Sequence, residues 1–108
     1  MGKVFLIGVP IGNIDDLSKR AFQTLQQCEL VLCEDTRESN KFFSNFSLNL
    51  NLVSYVGNKN APNKAIVALR QGKNVGIICD RGMPCISDPG SELVKLFRAH
   101  NVEIDCIP

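Results

Sequence analysis

Only one histidine, His100, stands in the 108 residues, so no Ser/His/acid or Cys/His constellation for nucleophilic catalysis is available. Lying near a predicted helix end beside Asn101, it reads as an exposed residue meeting the helix dipole. Cys-x-x-Cys pairs and other clusters with metal-ligand spacing are missing too, and no metal is expected. Gly8-x-x-x-Gly12 is neither a Gly-x-Gly-x-x-Gly fingerprint nor a Walker A loop, which excludes an ordinary dinucleotide or ATP site. A strong net charge is also lacking: the balance is +1, with acids and bases interspersed. Any contact with nucleic acid must therefore come from a local patch or from chain outside these residues. No apolar run approaches the roughly 20 residues of a membrane span. Lys3 and the apolar 4–9 are followed at once by Pro10, Gly12 and Asp15-Asp16 without a cleavage site, so no export is implied, and Leu6 stands where myristoylation wants Ser or Thr.

What is present fits one soluble domain spanning residues 1–108. A chain of this length with 44% apolar residues can supply one core and hardly two. Five cysteines, at 28, 33, 79, 85 and 106, make an odd count, and three of them (33, 79, 106) sit in apolar strand-like runs. They read as unpaired, mostly buried thiols of a cytoplasmic protein.

Along the chain, strands alternate with helices. Residues 3–8 form a first strand, and Asp15 or Asp16 caps a helix whose stripe is Leu17, Ala21, Leu25 and Cys28. Residues 30–33 make a second strand; Lys41, Phe42, Phe43 and Phe46 suggest a short helix; residues 50–55 alternate as a third strand. Pro62 starts a helix with stripe Ala65, Ile66 and Leu69, capped near Gln71-Gly72. Residues 74–79 form a buried strand, Leu93, Val94, Leu96 and Phe97 a helix, and residues 102–107 a fifth strand. The economical fold is α/β: an open, mainly parallel five-stranded sheet with helices on both faces.

Three polar loops follow the first, second and fourth strands, and a parallel sheet collects them at one edge. The richest spans 79–92, where Gly82 and Gly90 free the backbone, Pro84 and Pro89 fix it, and Asp88-Pro89 fits an N-cap with Pro at the first helical position. In the first loop, Gly12 either lets the backbone approach a ligand or makes an ordinary tight turn. Glu34 and Asp35 can act as acid and base or position a ligand hydroxyl, or Asp35-Thr36-Arg37 can be an Asx-type turn. Consecutive strand residues point to opposite faces, so these two carboxylates cannot share one proton unless the chain turns between them. Together the loops define a small-ligand edge without naming the ligand.

The same loops resemble the tetrapyrrole methylase superfamily, and within it the branch that 2′-O-methylates ribose in bacterial small-subunit ribosomal RNA. That branch carries Pro-Ile-Gly-Asn-Leu-x-Asp, Glu-Asp-Thr-Arg and Asp-Ala-Gly-Thr-Pro-x-Ile-Ser-Asp-Pro-Gly in this order. Here they read Pro10-Ile-Gly-Asn-Ile-Asp-Asp16, Glu34-Asp-Thr-Arg37 and Asp80-Arg-Gly-Met-Pro-Cys-Ile-Ser-Asp-Pro-Gly90. The resemblance implies S-adenosyl-L-methionine as methyl donor, a cytidine of small-subunit ribosomal RNA as acceptor, a homodimer, and cytoplasmic location. It places Pro10, Gly12, Asp80, Pro84, Ser87 and Asp88 beside the donor, and Asn13, Glu34, Asp35 and Arg37 toward the substrate. It implies a second, C-terminal domain beyond Pro108, so residues 1–108 alone are expected to be inactive. Arg81 and Met83 replace the branch's Ala and Thr, and residues 56–60 replace its His- and Glu-bearing loop. Two alternatives stand beside this reading: methyl transfer to a tetrapyrrole, which the first two motifs fit less well, and a non-catalytic module in which Arg81 and Met83 mark lost activity.

Overall fold

The computed structural model describes residues 1–9, 16–80 and 88–107, without the side chains of residues 79, 80, 88 and 89. In chain order the elements are β1 (Val4–Val9), α1 (Lys19–Gln26), β2 (Cys28–Cys33), α2 (Thr36–Phe43) with a 3-10 turn at Ser44–Phe46, β3 (Leu52–Ser54), α3 (Ala61–Arg70), β4 (Asn74–Asp80), α4 (Asp88–Ala99) and β5 (Ile104–Ile107). The strands form one sheet in the order β3-β2-β4-β1-β5, and every pairing is parallel.

From β1 the chain moves toward β3, with α1 and α2 packed on one face through Ala21, Leu25, Phe42 and Phe43. It then reverses toward β5, with α3 and α4 on the other face through Ala61, Ala65, Leu69, Leu93 and Phe97. Reversing direction and face together keeps all four crossovers of one hand, as right-handed strand-helix-strand units require. The central strands are apolar on both sides, which explains their continuous hydrophobic runs: Val4 and Leu6 enter the α3/α4 core, Ile7 and Val9 the α1/α2 core. At the sheet centre Gly76 makes room; a Cβ there would stand 3.2 Å from the Cys28 sulfur and 3.3 Å from Ile7 Cδ1.

Several boundaries differ from the sequence expectation. Helix α1 is capped by Ser18, whose Oγ accepts from the Ala21 N–H at 3.0 Å, so Asp16 is not its N-cap, and Asp15 lies outside the described residues. Cys28 opens β2 instead of closing α1, although its thiol still reaches the Thr24 carbonyl at 3.4 Å, the i−4 partner that a helical residue would face. Strand β3 shortens to three residues because it lies at the sheet edge with one neighbour. Val102 belongs to the turn before β5, where Asn101 takes a positive φ of 57° and the Val102 N–H returns to the Phe97 carbonyl at 3.0 Å. Helix α3 ends as expected, with Gly72 at φ 82° just beyond Gln71.

The described thiols correct one expectation: Cys33 is buried and Cys28 half-buried, but Cys106 is exposed. β5 is the other edge strand, and Cys106 lies on its α3/α4 side, beyond the reach of the helices that cover the centre. All three are unpaired. Burial pushes the Cys28 thiol up to about 12 and also raises that of Cys33.

Candidate functional site

Because all pairings are parallel, the chain leaves β1, β2 and β4 at the same edge of the sheet. The register is close: Val9 pairs with Asp80, and Leu32, one residue before β2 ends, pairs with Ile77. From β4 the chain continues into α4 on one face, whereas its neighbours β1 and β2 continue into α1 and α2 on the other. Adjacent strands whose connections part to opposite faces open a crevice beyond their carboxyl ends, where ligands of open α/β sheets bind. Here the divergence occurs on both sides of β4.

The second motif is built around a helix cap. Asp35 has extended backbone (φ −132°, ψ 112°), and its Oδ1 accepts from the Arg37 N–H at 2.9 Å, so the Asx-type turn is the N-cap of α2. The Ser39 N–H closes the first turn on the Asp35 carbonyl at 3.1 Å. Helix α2 therefore starts at Thr36, well before the aromatic cluster that marked it in the sequence. Glu34 is exposed, and its carbonyl accepts from Ser54 Oγ at 2.8 Å, tying the motif to the end of β3. Arg37 is 93% exposed, with Nε 3.9 Å from Asp35 Oδ1, a loose surface pair. The carboxylates of Glu34 and Asp35 do not form a dyad: one faces solvent and the other caps a helix. Beneath them the Cys33 thiol donates to the Val53 carbonyl at 3.8 Å, and Ser39 of α2 is a buried polar side chain. The link between Cys33 and β3 had no mark in the sequence.

For the other motifs the placement is at backbone level. Asp80 is the last residue of β4 and Asp88 the first of α4, so both flank the crevice. Pro10, Gly12, Asn13, Pro84 and Ser87 lie outside the described residues, as do Arg81 and Met83. Among the described residues no three of His, Cys, Asp and Glu come together as a metal site, and no helix is long and apolar enough to cross a membrane. His100 follows α4 with its Nδ1 2.9 Å from the Leu96 carbonyl, at the opposite end of that helix from the third motif.

An open parallel sheet with this divided edge defines the class: a doubly wound α/β domain in which β1, β2 and β4, the strands that run into the three motifs, end at one edge. Residues 3–108 match the family model described as Tetrapyrrole (Corrin/Porphyrin) Methylases, and the chain belongs to that family. It is 37% identical over 110 residues to ribosomal RNA small subunit methyltransferase I of Thermotoga maritima, covering 100% of this chain and 50% of that protein. The same-named protein of Halalkalibacterium halodurans is 40% identical over 109 residues, covering 99% of this chain and 38% of that protein. The chain thus spans about half, or less, of the length of the curated relatives it matches. Among solved structures, uroporphyrin-III-C-methyltransferase from Thermus thermophilus superposes with a TM-score of 0.71 at 22% identity, over 100% of this chain and 46% of that one. At that identity the likeness establishes the fold alone.

Proposed function

We propose that the complete protein carrying this chain is an S-adenosyl-L-methionine-dependent methyltransferase that 2′-O-methylates a cytidine of small-subunit ribosomal RNA. Residues 1–108 are its N-terminal α/β domain, and it works in the cytoplasm as a homodimer. The observation that carries the reading is that β1, β2 and β4, the strands that run into the three motifs, end at one divided sheet edge. The names of relatives at 36 to 40% identity support the acceptor.

The edge suits a nucleoside-type donor on the described residues. β1 and β4 end level at Val9 and Asp80, and an acidic residue at a strand's carboxyl end can accept hydrogen bonds from ribose hydroxyls. Pro10, Gly12, Asp80, Pro84, Ser87 and Asp88 hold the donor in this proposal; Asn13, Glu34, Asp35 and Arg37 face the RNA. S-adenosyl-L-methionine supplies an electrophilic methyl group when bound. The protein's task is to align the acceptor hydroxyl with it, since orientation alone can remove roughly 7 to 11 kcal/mol of a barrier. No metal is assigned, because the methyl group is already electrophilic.

The test is methyl transfer from labelled donor by the complete protein to unmethylated small ribosomal subunits, followed by nuclease digestion and nucleoside analysis. Label in 2′-O-methylcytidine is expected. Label accepted only by a tetrapyrrole precursor, or transferred to neither acceptor, contradicts the proposal. Residues 1–108 alone should bind S-adenosylhomocysteine weakly, since a ligand of this size buries about 70% or more of its surface in a good pocket and one sheet edge covers only part of it. Micromolar binding by that piece in calorimetry would contradict this.

A further inference from the structure

Between Glu38 and Asp80 the sequence contains no acidic residue but five basic ones, Lys41, Lys59, Lys64, Arg70 and Lys73. The fold gathers part of this series along one groove of about 610 Å³ beside α3. The groove exists because β3 is a short edge strand that leaves the sheet's α3 side uncovered, while Ala61, Ala65 and Ala68 seat α3 on the sheet. Asn60, Asn63, Lys64, Val67 and Gln71 line it from the helix, and Asn51 and the Glu29–Lys73 pair close its far side.

Three features of this groove point to a polyanion. Its one lining carboxylate, Glu29, is engaged by Lys73 at 3.5 Å, whereas Lys64 and neighbouring Lys59 have no ion-pair partner among the described residues. The first turn of α3 has no acidic residue and no side-chain cap from Asn60. Lys64 thus sits at the positive end of the helix dipole, where a cation is unfavourable to the helix itself, and the field there is positive twice over. The amides of Asn51, Asn63 and Gln71 are exposed and supply donors for phosphate and ribose oxygens. No lining residue is aromatic, which suits backbone contact over base stacking.

We propose that this groove is a track for the sugar-phosphate backbone of RNA. Helix α3 runs antiparallel to the strands, so its Asn60 end lies at the edge where β1, β2 and β4 end and its Gln71 end at the opposite edge. An RNA strand lying along the helix is thereby led toward the proposed methyl-transfer site, reading no sequence on the way. The inference rests on the assignment of ribosomal RNA as acceptor.

In the complete protein, Lys64→Ala and the pair Lys59→Ala/Lys64→Ala are to be compared with wild type by filter binding of small-subunit ribosomal RNA across 50 to 200 mM salt. The expected result is a log K against log salt slope shallower by about one for the single variant and about two for the pair. KM for RNA should rise several-fold and kcat hold, with S-adenosylhomocysteine affinity unchanged. Lys64→Arg should restore the slope. An unchanged slope in variants that still methylate RNA overturns the groove proposal and leaves the acceptor assignment standing. Wild-type protein that binds donor but neither binds nor methylates RNA overturns both. Dissociation of a protein oligomer by Lys64→Ala, with RNA affinity intact, identifies the groove as a protein contact and also overturns the proposal.

Discussion

The two ends of the sheet are built for different purposes. At the amino ends of the strands the backbone is locked into the body of the domain. The Gly2 N–H donates to the Leu69 carbonyl at 2.8 Å, the Lys3 N–H to Asn74 Oδ1 at 3.0 Å, and the Val75 N–H to the Lys3 carbonyl at 2.9 Å. A Cβ on Gly2 would run into the Lys73 carbonyl, so this position demands glycine by close approach of two backbones. On the surface Lys3 meets Glu103 and Asp105, and its ammonium pKa is raised by that hydrogen bond and the two charges. At the carboxyl ends, by contrast, β4 stops at Asp80, β2 runs into Glu34 and Asp35, the sequence after β1 and β4 is rich in Gly and Pro, and α2 begins on a side-chain cap. One end is interlocked main chain; the other presents variable chemistry on top of it. Damage at the first should therefore appear as lost stability, and damage at the second as lost binding.

The largest effect on binding is expected at the carboxyl end. Asp80→Ala in the complete protein removes a charged acceptor proposed for the donor, and S-adenosylhomocysteine affinity should fall about ten- to hundredfold, the loss of one charge-assisted hydrogen bond. Calorimetry gives that number, and a thermal melt of the free protein should show little change. A collapse of the melt with proportionate loss of binding would erase the contrast between the ends.

The largest effects on stability are expected from the glycines. Gly2→Ala should destabilise by about 2–3 kcal/mol and Gly76→Ala by about 1–2 kcal/mol, both through overpacking. Gly2 would meet fixed backbone, whereas Gly76 would meet the side chains of Cys28 and Ile7, which can give by a few tenths of an ångström. Urea unfolding measures both, and donor affinity well below the melting range should be unaffected. Equal stability of Gly2→Ala and wild type would show that the amino end is not interlocked.

How far the sequence reveals this division differs from element to element. Strand and helix order, the parallel sheet and the shared edge at which β1, β2 and β4 end follow from periodicity, because buried parallel strands and Gly/Pro-rich segments leave strong local marks. The strand order β3-β2-β4-β1-β5 is set by long-range pairing and has no local mark. Cys28 is misleading because an i−4 spacing from Thr24 satisfies a helix stripe as well as the first residue of a strand. Asp35 kept two meanings in the sequence, ligand group and turn, and the geometry makes it a cap whose neighbours Glu34 and Arg37 are free to face solvent. The α3 groove arises only when an edge strand is too short to cover a helix flank, so the acid-free run between Glu38 and Asp80 was its one visible trace.

The smallest effects concern the thiols. Cys106 should react with a water-soluble maleimide in the native protein, while Cys28 and Cys33 should require denaturant, as peptide mass spectrometry can check. Cys28 also links stability to pH. Its unfolded thiol ionises near 9 and its folded thiol near 12, so the unfolded state binds fewer protons between those values. Stability should hold below pH 9 and then decline, with a Cys28 share of at most about 1.4 kcal/mol per pH unit. Cys28→Ala should flatten that decline relative to wild type in urea titrations at pH 8 and pH 10. Parallel curves for the two proteins would mean that the thiol is not shielded.

The division between the ends is tested most directly by amide hydrogen exchange of the complete protein with and without S-adenosylhomocysteine. The expected protection falls on the carboxyl ends of β1, β2 and β4, around Val9, residues 33–36 and Asp80, while residues 2–4 and 73–75 exchange as before. Protection centred on the amino ends of the strands or along α3, with Val9 and Asp80 unchanged, would contradict it.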